Sequence, residues 1–589
     1  MGTYSNELPT KQYVPNAVIR IMGQYFSIRQ PDSGLTIPAS NIGLLSSLTL
    51  NPTNIDPFRP ASTINQNSIK LLDKNAVVTA LFGSNPQVFQ NELVEIWLGR
   101  SGVGMDFSDY RKLTDTYVVK VSKQDRAYTF STREAKDRLS TGAFGESSKL
   151  FGDILAGTTV ITLQDIPTGF PTSGMVKIDQ EFISYAGISG NNLTGCVRGL
   201  EGSTAVAHSL GDDVYVAQVI TGNPITILLQ LLLSSGGGSI YDVLPDGSGI
   251  DQSLVDIAEM EQVRADYFVG WNFTLRLFNI ESLRKTIEEE ILLPCAIRLR
   301  TNNNSKIGLA VLSRPTINID APDLDHTQIT KPPMYDVDDT KIVNRINIQW
   351  NYDDSAGRYL TNTNYEDAAS ITQFGHRPIV NLKFKGIKSG GQTMIDDIAA
   401  LYLKRFAFPK PFIGLNVHMS ASDWLLGEHP QVISSLIPTD VGDFDFDGSL
   451  EMLEKAINFE TGDVKFKLQY THFTGIQVCF LAPSDTIVTV NSQSSVDLGA
   501  GRGDVWRAGF KVRLYDNVAR DYVAGGELNE IASISGDTIT FVNPWVTVLS
   551  TDYKLCFPDY NDVAEIQKRY CFISCGTFSD GRNPYQIVC

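Results

Sequence analysis

Residues 174–216, GMVKIDQEFISYAGISGNNLTGCVRGLEGSTAVAHSLGDDVYV, constrain this chain more than any other stretch. Val176 and Ile178, then Phe182, Ser184 and the block 193–197, alternate, and Gly- or Asn-rich turns separate them. Alternation with period two, broken by turns of this kind, folds as short antiparallel strands. The stretch closes on Arg198-Gly199, Gly202-Ser203-Thr204-Ala205, His208, Gly211 and Val214. In that setting His208 is expected to hydrogen-bond inside the turn rather than to catalyse.

At 589 residues the chain is too long for one apolar core, and about three to five domains are expected. Hydrophobic content of 42% and aromatic content of 10% are those of globular protein and argue against disorder. The formal net charge of −17 argues against stable nucleic-acid binding, which concentrates Lys and Arg to neutralise phosphates. The N-terminal MGTYSNELPTKQYVPN has no basic region leading into an apolar core, so no secretory signal is expected. The longest apolar run, ITILLQLLL at 225–233, is half the length of a membrane span and reads as a buried helix, so no membrane insertion is expected.

No nucleophile elbow, Walker A loop, His-Glu-x-x-His or dinucleotide fingerprint occurs, and the histidines at 208, 326, 376, 418, 429 and 472 lack ligand spacing. No catalytic residues and no bound cofactor are therefore expected. Cys571 and Cys575 do not form a zinc-type pair, and together with Cys196, Cys295, Cys479, Cys556 and Cys589 they read as buried free thiols. One metal pattern does match. Asp443, Asp445, Asp447, Gly448 and Glu454 fit the D-x-D-x-D-G-x5-E spacing that wraps calcium. Phe444 and Phe446 alternate with those acids, and Pro438 stands just upstream. A solvated acidic strand face is thus the alternative to a calcium loop.

The chain reads as mainly β and multidomain, with a few inserted helices. Strands and turns fill 14–150, a short helix lies at 77–82, and 133–139 closes on another. Helices are expected at 225–233, 252–268 and from Ser282, a suitable N-cap, onward. Residues 341–474 are again β-dominated around a helix near 394–407. The C-terminal part repeats pieces of the first module: 158–163 matches 485–490, 175–179 matches 511–515, and 191–194 matches 537–540.

Three of these stretches resemble parts of tailed-bacteriophage proteins. The ending from Arg198 to Val214 resembles a small β module of tail and tail-tip proteins. Within 14–150, strands around Ile55-Asp56-Pro57 and into Leu71-Leu72-Asp73 precede a helix. The strand Glu95-Ile96-Trp97-Leu98-Gly99-Arg100 and a final hairpin follow. That order is similar to the first tube-like domain of tail hub proteins. Val343-Asn344-Arg345-Ile346, Ser370-Ile371-x-x-Phe374-Gly375-x-Arg377 and Leu403-x-Arg405-Phe406-Ala407-x-Pro409, then a strand and Leu425-x-Gly427, resemble the central part of the same hubs.

The resemblance implies an N-terminal tube-like β-barrel domain at 1–150, an inserted β module at 151–218 and a helical α+β domain at 219–335. A second tube-like β domain would occupy 336–475, a C-terminal β module (a repeat of the first) 476–562, and closing strands 563–589. It further implies a structural virion protein, a tail or baseplate hub at the tail tip, made in the host cytoplasm. As a homotrimer with pseudo-sixfold symmetry it would join the distal tail protein and tail tube to a threefold tip spike or fibres. The tape-measure protein would be a further partner, and DNA would pass through the lumen. The alternatives are a distal tail or fibre-attachment protein, and a tail-associated enzyme degrading cell wall or polysaccharide.

Overall fold

The computed structural model describes residues 14–556 apart from 32–33, 40, 51–52, 55–66, 84, 86, 102–105, 141, 235–240, 303–304, 313–322, 439–443, 459–462, 470–483, 488, 499–510, 517–520, 523–528, 536–537, 547 and 552. The chain is mainly β and builds many separate sheets with short helices between them. It divides into two compact units, 1–316 with 327–428 and 452–469, and 317–326 with 429–451 and 470–589.

The first unit begins with a seven-stranded antiparallel sheet in the order Gln24–Ser27, Val14–Ile21, Leu93–Ser101, Arg111–Gln124, Ala127–Arg133, Asn67–Leu72, Leu45–Thr49. Burial alternates along Asn67–Leu72 and Ala127–Arg133, as one apolar face per strand demands. The two ends of the sheet meet. The Gly43 N–H donates to the Ser27 carbonyl at 2.9 Å, and Ser27 bridges Ile42 just before the last strand of the order. Curling the sheet until its edges bond leaves few unpaired groups, which is the advantage of a barrel.

Trp97 packs on this barrel against Tyr25 and Phe107, with ring centroids 6.0 and 5.7 Å away. Two residues on, Gly99 lies under the Tyr110 ring, and a Cβ there would stand inside that ring. The ring cannot retreat, because Asn16 Nδ2 donates to the Tyr110 hydroxyl at 2.8 Å and Asn16 is itself tied to the backbone of Arg29. Gly99→Ala is therefore expected to destabilise the barrel by about 1–3 kcal/mol, the usual cost of overpacking. Faster amide exchange confined to 93–101 and its strand neighbours would register it; unchanged exchange would contradict the packing argument.

Residues 147–222 form a module of two small sheets. Gly174–Ile178 lies between Glu181–Tyr185 and Asp213–Gly222, while Asn192–Thr194 lies between Val160–Thr162 and Gly187–Ser189. Their inner faces share a core that includes Leu163, Val176, Ile178, Ile183 and Leu193. After the module, Asn223 caps the helix Pro224–Leu233 by accepting the Ile225 N–H, and eight of its ten residues are buried. Their burial is worth about 1.5–3 kcal/mol for each large aliphatic side chain. One apolar core runs from this helix through Ile257–Tyr267 and the hairpin of Ile297–Thr301 with Ile307–Val311. It continues into Arg345–Asp353 and the helix Gln392–Phe406. Segments 219–335 and 336–475 thus contribute to the same core.

The helix expected after Ser282 differs from a plain α-helix. Ser282 does cap it, accepting the Lys285 N–H at 3.3 Å, but Leu283–Ile287 opens into a π-helix at Glu288–Leu292. Elsewhere in the unit, Arg345–Asp353 pairs antiparallel with Arg358–Glu366 and parallel with Val380–Lys383 across the helix Ala368–Phe374. A five-stranded sheet runs Ile329–Val337, Pro411–His418, Asp463–Gln469, Glu451–Asn458, Thr53–Asn54.

In the second unit, Gln431–Pro438 pairs with Phe444–Ser449. Its larger sheet runs Ser484–Thr486, Tyr553–Cys556, Lys511–Asp516, Asn529–Ser535, Thr538–Phe541, Ser495–Asp497, Thr489–Ser492. The first six strands follow the same antiparallel order as Ser147–Lys149, Asp213–Gly222, Gly174–Ile178, Glu181–Tyr185 with Gly187–Ser189, Asn192–Thr194 and Val160–Thr162. In this order 175–179 and 191–194 take the places of 511–515 and 537–540. The remaining sequence match is displaced: the strand equivalent to Val160–Thr162 is Ser495–Asp497, not 485–490. Residues 557–589, with the closing strands expected there, lie outside the described residues.

Candidate functional site

The densest polar site among the described residues lies in the first module, where its signature residues converge on one carboxylate. Glu181 opens its strand immediately after the Asp179–Gln180 turn, and its side chain is completely buried. Arg198 grips it with two prongs, Nε to Oε1 and Nη2 to Oε2, both at 2.7 Å. The N–H groups of Gly199 and Val206 donate to the same carboxylate at 3.0 and 3.2 Å. His208 Nε2 reaches Oε2 at 2.9 Å, and its Nδ1 faces Asp179 Oδ2 at 2.9 Å.

The remaining signature residues shape the loop around this centre. Arg198 also donates to the carbonyls of Leu155 and Val206, each at 2.6 Å. His208 exchanges both backbone bonds with Ile154. Ser203 Oγ accepts from the Phe182 N–H at 3.0 Å and donates to the Leu200 carbonyl at 2.5 Å. Gly199 has φ of +66°, and a Cβ on it would lie 3.0 Å from the Ala205 nitrogen, so only glycine fits without strain.

Burial by itself would raise the Glu181 carboxyl, but Arg198, His208 and the two backbone N–H groups hold it below the usual carboxylate range. Each of its oxygens is engaged by at least two donors. A carboxylate so saturated and enclosed offers no lone pair to a substrate, and what it does is lock residues 197–208 onto the sheet. The second module has only 542–552 between its equivalent strands, against 195–212 here, and its described residues carry no counterpart of this clasp. At the outer end, ligand atoms of Asp179, His208 and Asp212 lie within 4.8 Å of one another.

A second polar site is a cleft of about 90 Å³ in the first unit, bordered by Arg111, Glu134, Lys136, Arg300, Thr301 and Lys455. Lys136 Nζ pairs with Glu134 at 2.9 Å, and Arg300 spans Glu259 and Glu428 at 2.9 and 3.2 Å. Lys455 donates to the carbonyls of Ser422 and Trp424, while Arg111 pairs with Asp423 and donates to the Ser422 carbonyl. Burial, reinforced by the nearby Arg111 charge, pushes the Lys455 ammonium down to about 7. Glu134 sits below the usual range because Lys136 and Thr301 outweigh its burial. Glu134, Glu259, Glu428 and Asp423 each meet a base while Lys455 rests on backbone carbonyls, an arrangement that joins the barrel, the hairpin and the strand Glu451–Asn458.

Of the residues that sequence pattern offers for calcium, Asp443 lies outside the described residues. Asp445 and Asp447 belong to the strand Phe444–Ser449, and Glu454 stands opposite Asn54 in the strand Glu451–Asn458. Cys196 and Cys295 are buried free thiols, and burial pushes both upward. Cys556 ends a strand, while Cys479, Cys571, Cys575 and Cys589 lie outside the described residues. Sequence pattern places His208 within the turn but misses Asp179, Glu181 and Asp212 as its partners. The signal available was the pair Asp179-x-Glu181 at a hairpin turn, followed by His208-x-x-x-Asp212.

No protein-family model matches this chain, and no curated protein matches it. Among solved structures, it is similar to a tail protein from Neisseria meningitidis at 8% identity and a TM-score of 0.36, over 78% of this chain and 97% of that one. A 43 kDa tail protein of a Shewanella oneidensis prophage shares 9% identity at a TM-score of 0.37, over 78% of this chain and 98% of that chain. A prophage tail protein from Listeria monocytogenes shares 8% identity at a TM-score of 0.36, over 77% and 94%. All three are phage or prophage tail proteins by name or tail proteins outright, and scores this low leave the function to be argued from the residues.

Proposed function

We propose that this chain is a structural component of a phage tail, a hub whose trimer forms a pseudo-sixfold adapter. It would join the tail tube or distal tail ring to a threefold tip, spike or fibre, through large β interfaces rather than catalysis. One observation supports it most. The nine-residue strand Ile329–Val337 forms the edge of its sheet, and Met334, Tyr335 and Val337 on it are 71%, 46% and 46% exposed. Lys331, Pro332 and Pro333 guard the first half of this edge, but from Met334 onward it presents exposed apolar side chains, and such an edge templates pairing with another chain. The ordered resemblance of 14–150 and 341–474 to hub proteins, and the barrel closed at Ser27 and Ile42, agree with this reading.

Light scattering on the purified chain tests it. A mass of three chains is expected. Six chains would reassign the protein to the distal tail ring, and a stable single chain would favour the enzyme or an isolated binding protein.

A further inference from the structure

We propose that Asp179, His208 and Asp212 bind one first-row divalent cation of the zinc class at the outer end of the clasp. Three donor atoms of the right kinds already lie within 4.8 Å of one another. His208 Nδ1 and Asp179 Oδ2 are 2.9 Å apart. Two ligands each about 2.1 Å from one ion stand about 3 Å apart when they subtend a right angle, so this pair needs little movement to share a metal.

The argument for a cation is one of geometry. Glu181 is an ionised acceptor, already held by Arg198, so the Nε2 that faces it at 2.9 Å must carry a proton. The Nδ1 on the other edge of the ring faces a second carboxylate, that of Asp179. A metal ion set between that nitrogen and that carboxylate would be held by both, together with Asp212. A buried carboxylate behind the imidazole is also the arrangement that fixes the tautomer and direction of a ligating histidine. Asp212 is oriented independently, since its Oδ2 accepts the Ser209 N–H at 2.7 Å.

The donor set chooses the class of ion. Calcium prefers shells of six to eight oxygens, while an imidazole nitrogen with two carboxylates suits zinc and its first-row neighbours. The side chain of Asp179 is 62% exposed, so the ion would be reached from solvent. Three protein ligands leave a coordination position for water or for a side chain of another molecule. Bound there, the ion would tie loop 199–212 to the Asp179 turn from outside, as Glu181 ties it from inside.

The test uses the full chain, stripped with chelator and kept reduced, titrated with zinc chloride and separately with calcium chloride. The wild type is compared with the double variant Asp179→Asn, Asp212→Asn, which leaves Glu181, Arg198 and His208 in place. Zinc should slow amide exchange across 199–212 in the wild type only. Calorimetry should show the variant losing one zinc equivalent or binding it at least about tenfold more weakly. Calcium should leave exchange in that loop unchanged. Equal zinc uptake by both proteins, or zinc that leaves loop exchange unaltered in the wild type, would overturn the proposal. Because the loop is read directly, zinc taken up by the C-terminal cysteines cannot imitate the expected result.

Discussion

Glu181→Ala is expected to open loop 197–212 and to raise its amide exchange by about two to three powers of ten. The substitution leaves the Arg198 guanidinium, His208 Nε2 and two backbone N–H groups facing a void at a fully buried position. Removing one partner of a buried ion pair typically costs about 3–5 kcal/mol, and each 1.4 kcal/mol is about a factor of ten in an opening constant. The near-isosteric Glu181→Gln should fare little better. Oε1 receives Arg198 Nε and the Gly199 N–H, while Oε2 receives Arg198 Nη2, the Val206 N–H and His208. Whichever way an amide turns, its NH2 meets donors. Acid should act on the wild type in the same direction. The folded carboxyl is held below its ordinary value, so its stabilisation is present above about pH 4.5 and is lost as pH falls through the folded value. Exchange mass spectrometry on 193–216, with 93–101 as an internal reference, distinguishes local opening from general unfolding. Unchanged exchange in 197–212 would mean that the clasp does not hold the loop.

Elements that carry their own signal were legible from sequence. The helix Pro224–Leu233 is apolar and buried except at Thr226 and Gln230, and Ser282 caps the helix that its position predicts. The turns flanking Glu181–Tyr185 and Asn192–Thr194 fix those short strands, so the mainly β class follows from local pattern. What sequence could not reveal depends on who packs against whom. Arg111 meets Ser422 across 311 positions, and Lys455 reaches the same carbonyl, with no local pattern announcing either contact. Glu181 reads as one more acid at a strand start until Arg198 and His208 close on it. The displaced match at 485–490 has a similar cause. That run is split between the strands Ser484–Thr486 and Thr489–Ser492, which pair with different partners, and alternation alone cannot choose between them. The π-helix after Ile287 is equally silent in sequence, because Glu288-Glu289-Glu290 favours an ordinary α-helix.

That π-helix carries the second large prediction: Glu290→Gln should stabilise the first unit at pH 8 by up to about 3 kcal/mol and leave it nearly unchanged at pH 5. Glu290 accepts the Lys385 N–H at 2.8 Å, yet burial dominates and pushes its carboxyl from 4.5 up to about 7. The backbone of Lys385 and Gly386 and the Lys385 charge oppose that rise, and Glu289 adds to it. Between the two values the folded chain binds a proton that the unfolded chain has released, so stability falls as pH rises from about 4.5 to about 7. At 1.36 kcal/mol per pKa unit the loss approaches about 3 kcal/mol. Glutamine cannot ionise, still accepts the backbone N–H groups and escapes that loss. Lys455 works in the opposite sense. Lowered from 10.5 to about 7, it favours the unfolded chain below about pH 7, and stability recovers as pH rises above it. The contributions of these two groups together are least favourable near neutrality, and the variant should lose the acid-side contribution while keeping the alkaline one. Amide exchange over 283–309, corrected for intrinsic chemical rates at each pH, reads the difference. An equal response at pH 5 and pH 8, or a loss at pH 8, would show that burial does not set the protonation of Glu290.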